Sequence, residues 1–133
     1  MEKSVGAVIK KDNKYLILKY GLGHWGFVKG HVEKNETDED TLYRETEEET
    51  DLKKENIKII NGFKQKISYY FKREGKTVYK EVNYYLAESD TFNVKISHEH
   101  KDYKWLEYKE AMEKLSFKNT KKILKKANDF LCK

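Results

Sequence analysis

The sequence predicts an α/β sandwich, a sheet with helices packed on both faces. Three observations predict it. β-branched and aromatic runs with period-two alternation recur along the chain, other stretches carry helical caps and helical spacing, and the two kinds of segment are interleaved rather than segregated. At 133 residues the chain can bury most of its apolar surface in a single core. No proline, repeat or low-complexity linker divides it, so one domain over residues 1–133 is expected. Charged residues make up 38%, which alone would suit a disordered chain, but 14% aromatics argue for a packed globule.

The elements follow in order. Ser4 to Ile9 reads as a strand, Asp12-Asn13 as a turn, and Tyr15 to Leu18 as a second strand, together a hairpin. Residues 21–30 form a glycine-rich loop. Thr37 or Asp38 caps a helix running to about Thr50, with acids in its first turn where the helix dipole favours them. Asp51 sits where that helix stops. Residues 57–71 are strand-like, broken at Asn61-Gly62, with Phe63, Ile67, Tyr69 and Phe71 alternating onto one face. Glu74-Gly75 turns the chain into a partner strand from Val78 to Ala87, with Val82, Tyr84 and Leu86 on one face. Tyr103 to Leu106 is a short strand. Two helices follow, the last with an apolar stripe of Ile123, Leu124, Ala127, Phe130 and Leu131.

Composition excludes several classes. No stretch approaches the roughly 20 consecutive apolar residues of a membrane span, and the N-terminal residues lack the apolar segment of a secretory signal. The single cysteine, Cys132, cannot form an internal disulfide. A reducing, cytoplasmic setting is expected, with no membrane partner. The net charge is +5, but 26 of the 28 basic residues are lysine, so the basic balance alone does not point to nucleic acid. Oligomeric state, monomer or homodimer, is open.

The charge is unevenly placed. Residues 31–51 hold ten acids against Lys34 and Arg44, a local charge of −8, which leaves +13 on the rest. On a helix Glu45, Glu48 and Glu49 fall at i, i+3 and i+4 and project from one face. Three carboxylates held that close repel one another. Hard divalent cations, Mg²⁺ or Mn²⁺, relieve the repulsion because they prefer oxygen ligands. A solvated acidic face is the alternative reading. The preceding glycine loop favours the metal, because small residues let backbone groups approach a cation and phosphates. Arg44 is the lone cation of the helix and can orient a carboxylate, with Glu36 as its partner from the preceding loop.

The segment Gly30, Glu36, Arg44, Glu45, Glu48, Glu49 and Leu52 resembles the signature of the Nudix hydrolases, G-x5-E-x7-R-E-U-x-E-E-x-G-U, with U a bulky aliphatic residue. Two positions depart: Thr46 replaces the first aliphatic residue, and Asp51 replaces the second glycine and must adopt a left-handed conformation there. The resemblance implies a Nudix-type α/β/α sandwich with a mixed sheet, and Mg²⁺-dependent hydrolysis of a phosphoric anhydride bond, with Mn²⁺ as a possible substitute. It implies that Glu45, Glu48, Glu49 and the Gly30 carbonyl bind metal, and that Glu36 and Arg44 shape the loop and helix.

Three further segments resemble the asymmetrically cleaving diadenosine tetraphosphate hydrolases of that family: His24 to Glu33, with Val28 where those enzymes usually have proline; Lys80 to Ala87; and Ser97 to Leu106. By position the resemblance makes His24, Lys29 and Lys80 phosphate contacts and Tyr103 an adenine-stacking residue. It makes Glu99 an extra metal ligand or an aid to the attacking water. Tyr69, Tyr70 and Tyr79 are open candidates for a second aromatic wall. The implied substrate is a nucleotide, diadenosine tetraphosphate, cleaved to ATP and AMP. ADP-ribose, a nucleoside triphosphate or an RNA 5′ end are alternatives, the RNA not favoured. A non-catalytic nucleotide-binding Nudix module ranks last.

Overall fold

Alternation along the first strand builds both faces of the sheet at once. The computed structural model describes residues 1–132. In β1 (Glu2–Lys11), Val5, Ala7 and Ile9 point to one face and Val8 to the other, and all four are buried. A strand apolar on both sides belongs in the middle of a covered sheet. β1 is central: it pairs antiparallel with β2 (Lys14–Tyr20) across the Asp12-Asn13 turn and parallel with β6 (Lys76–Ser89). With β3 (Trp25–Gly26) and β5 (Ile57–Arg73) at the two ends, the strand order is β3-β2-β1-β6-β5. The expected glycine-rich loop contains two short strands, β3 (Trp25–Gly26) on β2 and β4 (Val28–His31) on β1. β7 (His100–Glu107) pairs antiparallel with β2. One parallel pair among antiparallel ones makes the sheet mixed.

Helices cover both faces. α1 (Asp38–Thr50) packs Leu42 with Val5, Ala7, Leu16 and Leu18. α2 (Tyr108–Lys114) and α3 (Lys118–Leu131) pack Ala111, Ile123, Leu124 and Ala127 with Val8, Ile17, Val82 and Leu86 on the opposite face. The α1 ends are built as the sequence requires. Thr37 and Asp40 form a reciprocal capping box, and Asp51 closes the helix at φ 62°, left-handed. No helix among the described residues is long and apolar enough to cross a membrane.

The hairpin of β5 (Ile57–Arg73) and β6 turns at Glu74-Gly75, both at positive φ. A bulge between Ile59 and Lys64, with Gly62 at φ 96°, shifts the register of β5. Four residues of β5, 60–63, stand opposite one of β6, residue 86, and an odd excess of this kind exchanges the faces of everything beyond it. Ile57 and Ile59 therefore face α1, while Phe63, Ile67 and Tyr69, of the same parity, face α3.

Candidate active site

The carboxylates meet the glycine loop at one end of the sheet. Glu45 and Glu49, on the inner side of α1, reach across to β4. The Glu45 carboxyl lies directly over Gly30, so closely that any Cβ on residue 30 would overlap it. Around this contact lies an open cleft of about 370 Å³, lined by Lys29, Gly30, Arg44, Glu45, Glu48, Glu49, Lys80 and Glu99, with Ser4, Tyr20, His31, Glu33 and His100. Eight expected site residues thus come together from α1, β4, β6 and the turn before β7. Lys80 arrives opposite Glu2 through the parallel β1–β6 pairing.

Arg44 organises the acids. Its Nε donates to Glu36 Oε2 at 2.7 Å and its Nη2 to Glu36 Oε1 at 2.9 Å, a two-pronged pair. Nη2 also donates to the His31 carbonyl at 2.8 Å and Nη1 to Glu45 Oε1 at 2.7 Å. Glu36 accepts further from the Glu33 N–H and the Thr41 hydroxyl. Arg44, followed by these donors, holds the Glu36 carboxyl down at about 2. Glu36 is therefore a brace outside the cleft.

Glu49 is the opposite case. It is buried, its Oε1 has no hydrogen-bond partner among the described residues, and burial followed by the adjacent Glu45 carboxyl pushes its pKa well above the carboxylate range. Burial and a neighbouring carboxylate both disfavour its charged form, and a bound cation would favour it. Lys29 and Lys80 are depressed, first by burial, and Lys29 next by Lys80 itself. Two desolvated ammonium groups on the rim of such a cleft suit a phosphate chain.

The residues fit a divalent cation. The donors are carboxylate and carbonyl oxygens, Glu49 supplies an unpartnered buried oxygen among the described residues, and Gly30, with no side chain, lets the Glu45 carboxyl close on its backbone. Among the described residues no three acidic, thiol or imidazole side chains are closed on one point. Arg44 Nη1 is bonded to Glu45 Oε1 at 2.7 Å and lies 3.4 Å from Glu48 Oε2, so Arg44 and a cation would share these carboxylates.

A second pocket of about 410 Å³ adjoins the cleft and shares Lys29 as a wall. Tyr69, Tyr84 and Phe117 give it an aromatic lining, with Ile67 and Thr120 beside them. The β5 bulge selects Tyr69 over its neighbour Tyr70, which is 71% exposed on the other side. Phe117 is a residue that sequence reasoning missed. It caps the start of α3 beside His24, placed by Trp25 and Ser116, whose main chains and hydroxyl clasp each other at 2.8 and 3.2 Å.

Besides Glu36, two expected residues lie outside the cleft. Tyr103 pairs with Leu18 in the β2–β7 ladder and packs on the α1 face, so it does not reach the aromatic pocket. His24 is stacked on Tyr20 at 4.8 Å and tilted against Phe117 at 5.1 Å; burial, then Lys29, lowers its pKa. It buttresses the wall between cleft and pocket. A larger cavity of about 670 Å³ lies between the first turn of α1 and the β5 bulge, but its Asp38 is engaged by Asn83 and Tyr85.

The NUDIX domain matches residues 2–127 of this chain. The chain belongs to the Nudix family. Within the family, the mouse asymmetrical bis(5′-nucleosyl)-tetraphosphatase is 39% identical over 130 residues, covering 92% of this chain and 86% of the relative. The Caenorhabditis elegans asymmetrical bis(5′-nucleosyl)-tetraphosphatase is 32% identical, covering 97% and 96%. A crystal structure of a C. elegans Ap4A hydrolase binary complex superposes with a TM-score of 0.87 at 29% identity, over 99% of this chain and 98% of that one. The Escherichia coli dihydroneopterin triphosphate pyrophosphohydrolase shares the Nudix fold at a TM-score of 0.77 and 20% identity, over 93% and 92% of the two chains. This Nudix chain is a hydrolase of phosphoric anhydride bonds, in a family that generally uses a divalent cation.

Proposed function

We propose that this chain acts as one Nudix domain that hydrolyses a dinucleoside polyphosphate, diadenosine tetraphosphate, to ATP and AMP with Mg²⁺. The observation that carries the reading is the pairing of two sites: a carboxylate cleft and an aromatic pocket joined by Lys29. A substrate with a nucleoside at the end of a phosphate chain fits that pairing. The similarity to enzymes named for this activity supports it.

Glu45, Glu48, Glu49 and the Gly30 carbonyl would hold the cations, with Glu99 from the opposite turn. Bound there, divalent cations make a water nucleophilic at neutral pH and neutralise the phosphates. The residues of the chain do the rest. Lys29 and Lys80 bind phosphate oxygens and fix the chain in line for attack. Tyr69 and Phe117 stack the base. One of the cleft glutamates takes the proton from the attacking water. One water adds across one P–O–P bridge, which balances the products.

Glu48→Gln tests the chemistry. Glu48 is the exposed member of the trio, so the variant should fold as well as wild type while kcat falls by orders of magnitude. Turnover equal to wild type would remove Glu48 from the site. Tyr69→Ala and Phe117→Ala test the pocket. Losing one stacked base face costs about 1–3 kcal/mol, so KM should rise by roughly 5- to 150-fold. An unchanged KM in both would move the nucleoside elsewhere.

A further inference from the structure

Two buried polar atoms at the back of the cleft lack a hydrogen-bond partner among the described residues, and they face each other. Glu49 Oε1 and His100 Nε2 lie 3.4 Å apart. Both side chains are nearly sealed from solvent, at 6% and 2% exposed. Leaving one buried polar atom unpaired costs on the order of 1–3 kcal/mol. Two placed side by side read as a pair that closes in use.

The rest of the imidazole is held in place. Ser97 Oγ lies 3.1 Å from His100 Nδ1. Ser97 is itself anchored by main chain, its N–H donating to the Glu49 carbonyl at 3.2 Å and its carbonyl accepting from the His100 N–H at 3.1 Å. The ring edge packs on Tyr20, with centroids 4.6 Å apart. No step of the reaction described above uses His100, yet a polar ring is buried and fastened there.

We propose that His100 is a positioning residue for Glu49: the Ser97 hydroxyl donates to Nδ1, and Nε2–H donates to Glu49 Oε1, leaving the other carboxylate oxygen for the cation. The inference rests on the reading of Glu49 as a cation ligand. The direction of the bonds follows from that role. A carboxylate that holds a cation is ionised and can only accept, so the atom facing it must carry a proton. Nδ1 then keeps the lone pair, and the rotatable Ser97 hydroxyl supplies the matching donor. At 3.4 Å the contact is long for a formed bond; such contacts commonly tighten when the site is loaded. Partners one layer behind metal ligands typically set affinity by about 10- to 100-fold.

The test is Mn²⁺ binding to the substrate-free full chain, read by electron paramagnetic resonance and calorimetry, with thermal unfolding to establish that each variant folds. His100→Phe keeps a ring against Tyr20 but removes both nitrogens. It should weaken Mn²⁺ binding by about 10- to 100-fold. His100→Gln restores an N–H at similar reach and should recover most of the affinity. Ser97→Ala should weaken binding in the same direction by a smaller factor. Wild-type affinity in His100→Phe, with affinity lost in Glu49→Gln, would overturn the inference and leave the metal reading intact. Wild-type affinity in Glu49→Gln would overturn both. If His100→Phe does not fold, Ser97→Ala decides, and a folded Ser97→Ala with wild-type affinity overturns the inference.

Discussion

Gly30 has no room for a side chain. Its backbone is ordinary strand, so the requirement is contact with the Glu45 carboxyl rather than a special φ. Gly30→Ala should therefore fold but push Glu45 aside, and a displacement of about 1 Å in a catalytic group can cost about 100-fold. Steady-state kinetics beside thermal unfolding will read this; an active Gly30→Ala would mean that Glu45 is free to move. Glu36 gives a pH prediction. Arg44 holds its carboxyl at about 2, below the ordinary 4.5. A depressed carboxyl stabilises the fold above its unfolded value, and that stability is lost as pH falls through about 4.5 toward 2. Denaturant unfolding of wild type across this window should show the loss, and Glu36→Gln should flatten it. Equal pH slopes for the two proteins would contradict the brace. These residues were legible in the sequence because glycine, arginine and glutamates sit within one loop and one helix, where spacing fixes geometry.

At the scale of elements, α1 carries the two departures from the family signature. Asp51 serves as the left-handed C-cap. Thr46 is fully buried under the helix, and its hydroxyl has no partner among the described residues. Thr46→Val should remove that orphan and stabilise the fold by about 1 kcal/mol, measured by denaturant midpoint at unchanged slope. A destabilised variant would show that the hydroxyl is satisfied in solution. The strands explain what the sequence left open. Tyr69 and Tyr70 are indistinguishable by composition, and only the bulge at Ile59/Lys64 decides which one faces α3. Tyr103 resembles a stacking residue by position, but the β2–β7 register turns it to the α1 face. Register and bulges are set by long-range pairing, which local patterns do not encode. Phe117 was hidden for a related reason. It reaches the pocket because Ser116 docks on Trp25, a contact between residues 91 apart in the chain.

At the scale of the whole molecule, the mixed sheet separates two tasks. The α1 face supplies acids, and the α3 face supplies aromatic rings; β4 passes between them and gives Lys29 to both cavities. The −8 segment and the +13 remainder of the sequence meet at that boundary, where Lys29 and Lys80 face Glu45, Glu48, Glu49 and Glu99. On the proposed reading, that juxtaposition receives a phosphate chain ending in a base. The most direct test is to offer diadenosine tetraphosphate, ADP-ribose, ATP and a 5′-triphosphorylated RNA in parallel with Mg²⁺ and to resolve the products by chromatography. Efficient conversion of diadenosine tetraphosphate to equal amounts of ATP and AMP is expected, lost in Glu48→Gln. Two molecules of ADP per substrate, or a clear preference for ADP-ribose, ATP or RNA, would contradict it.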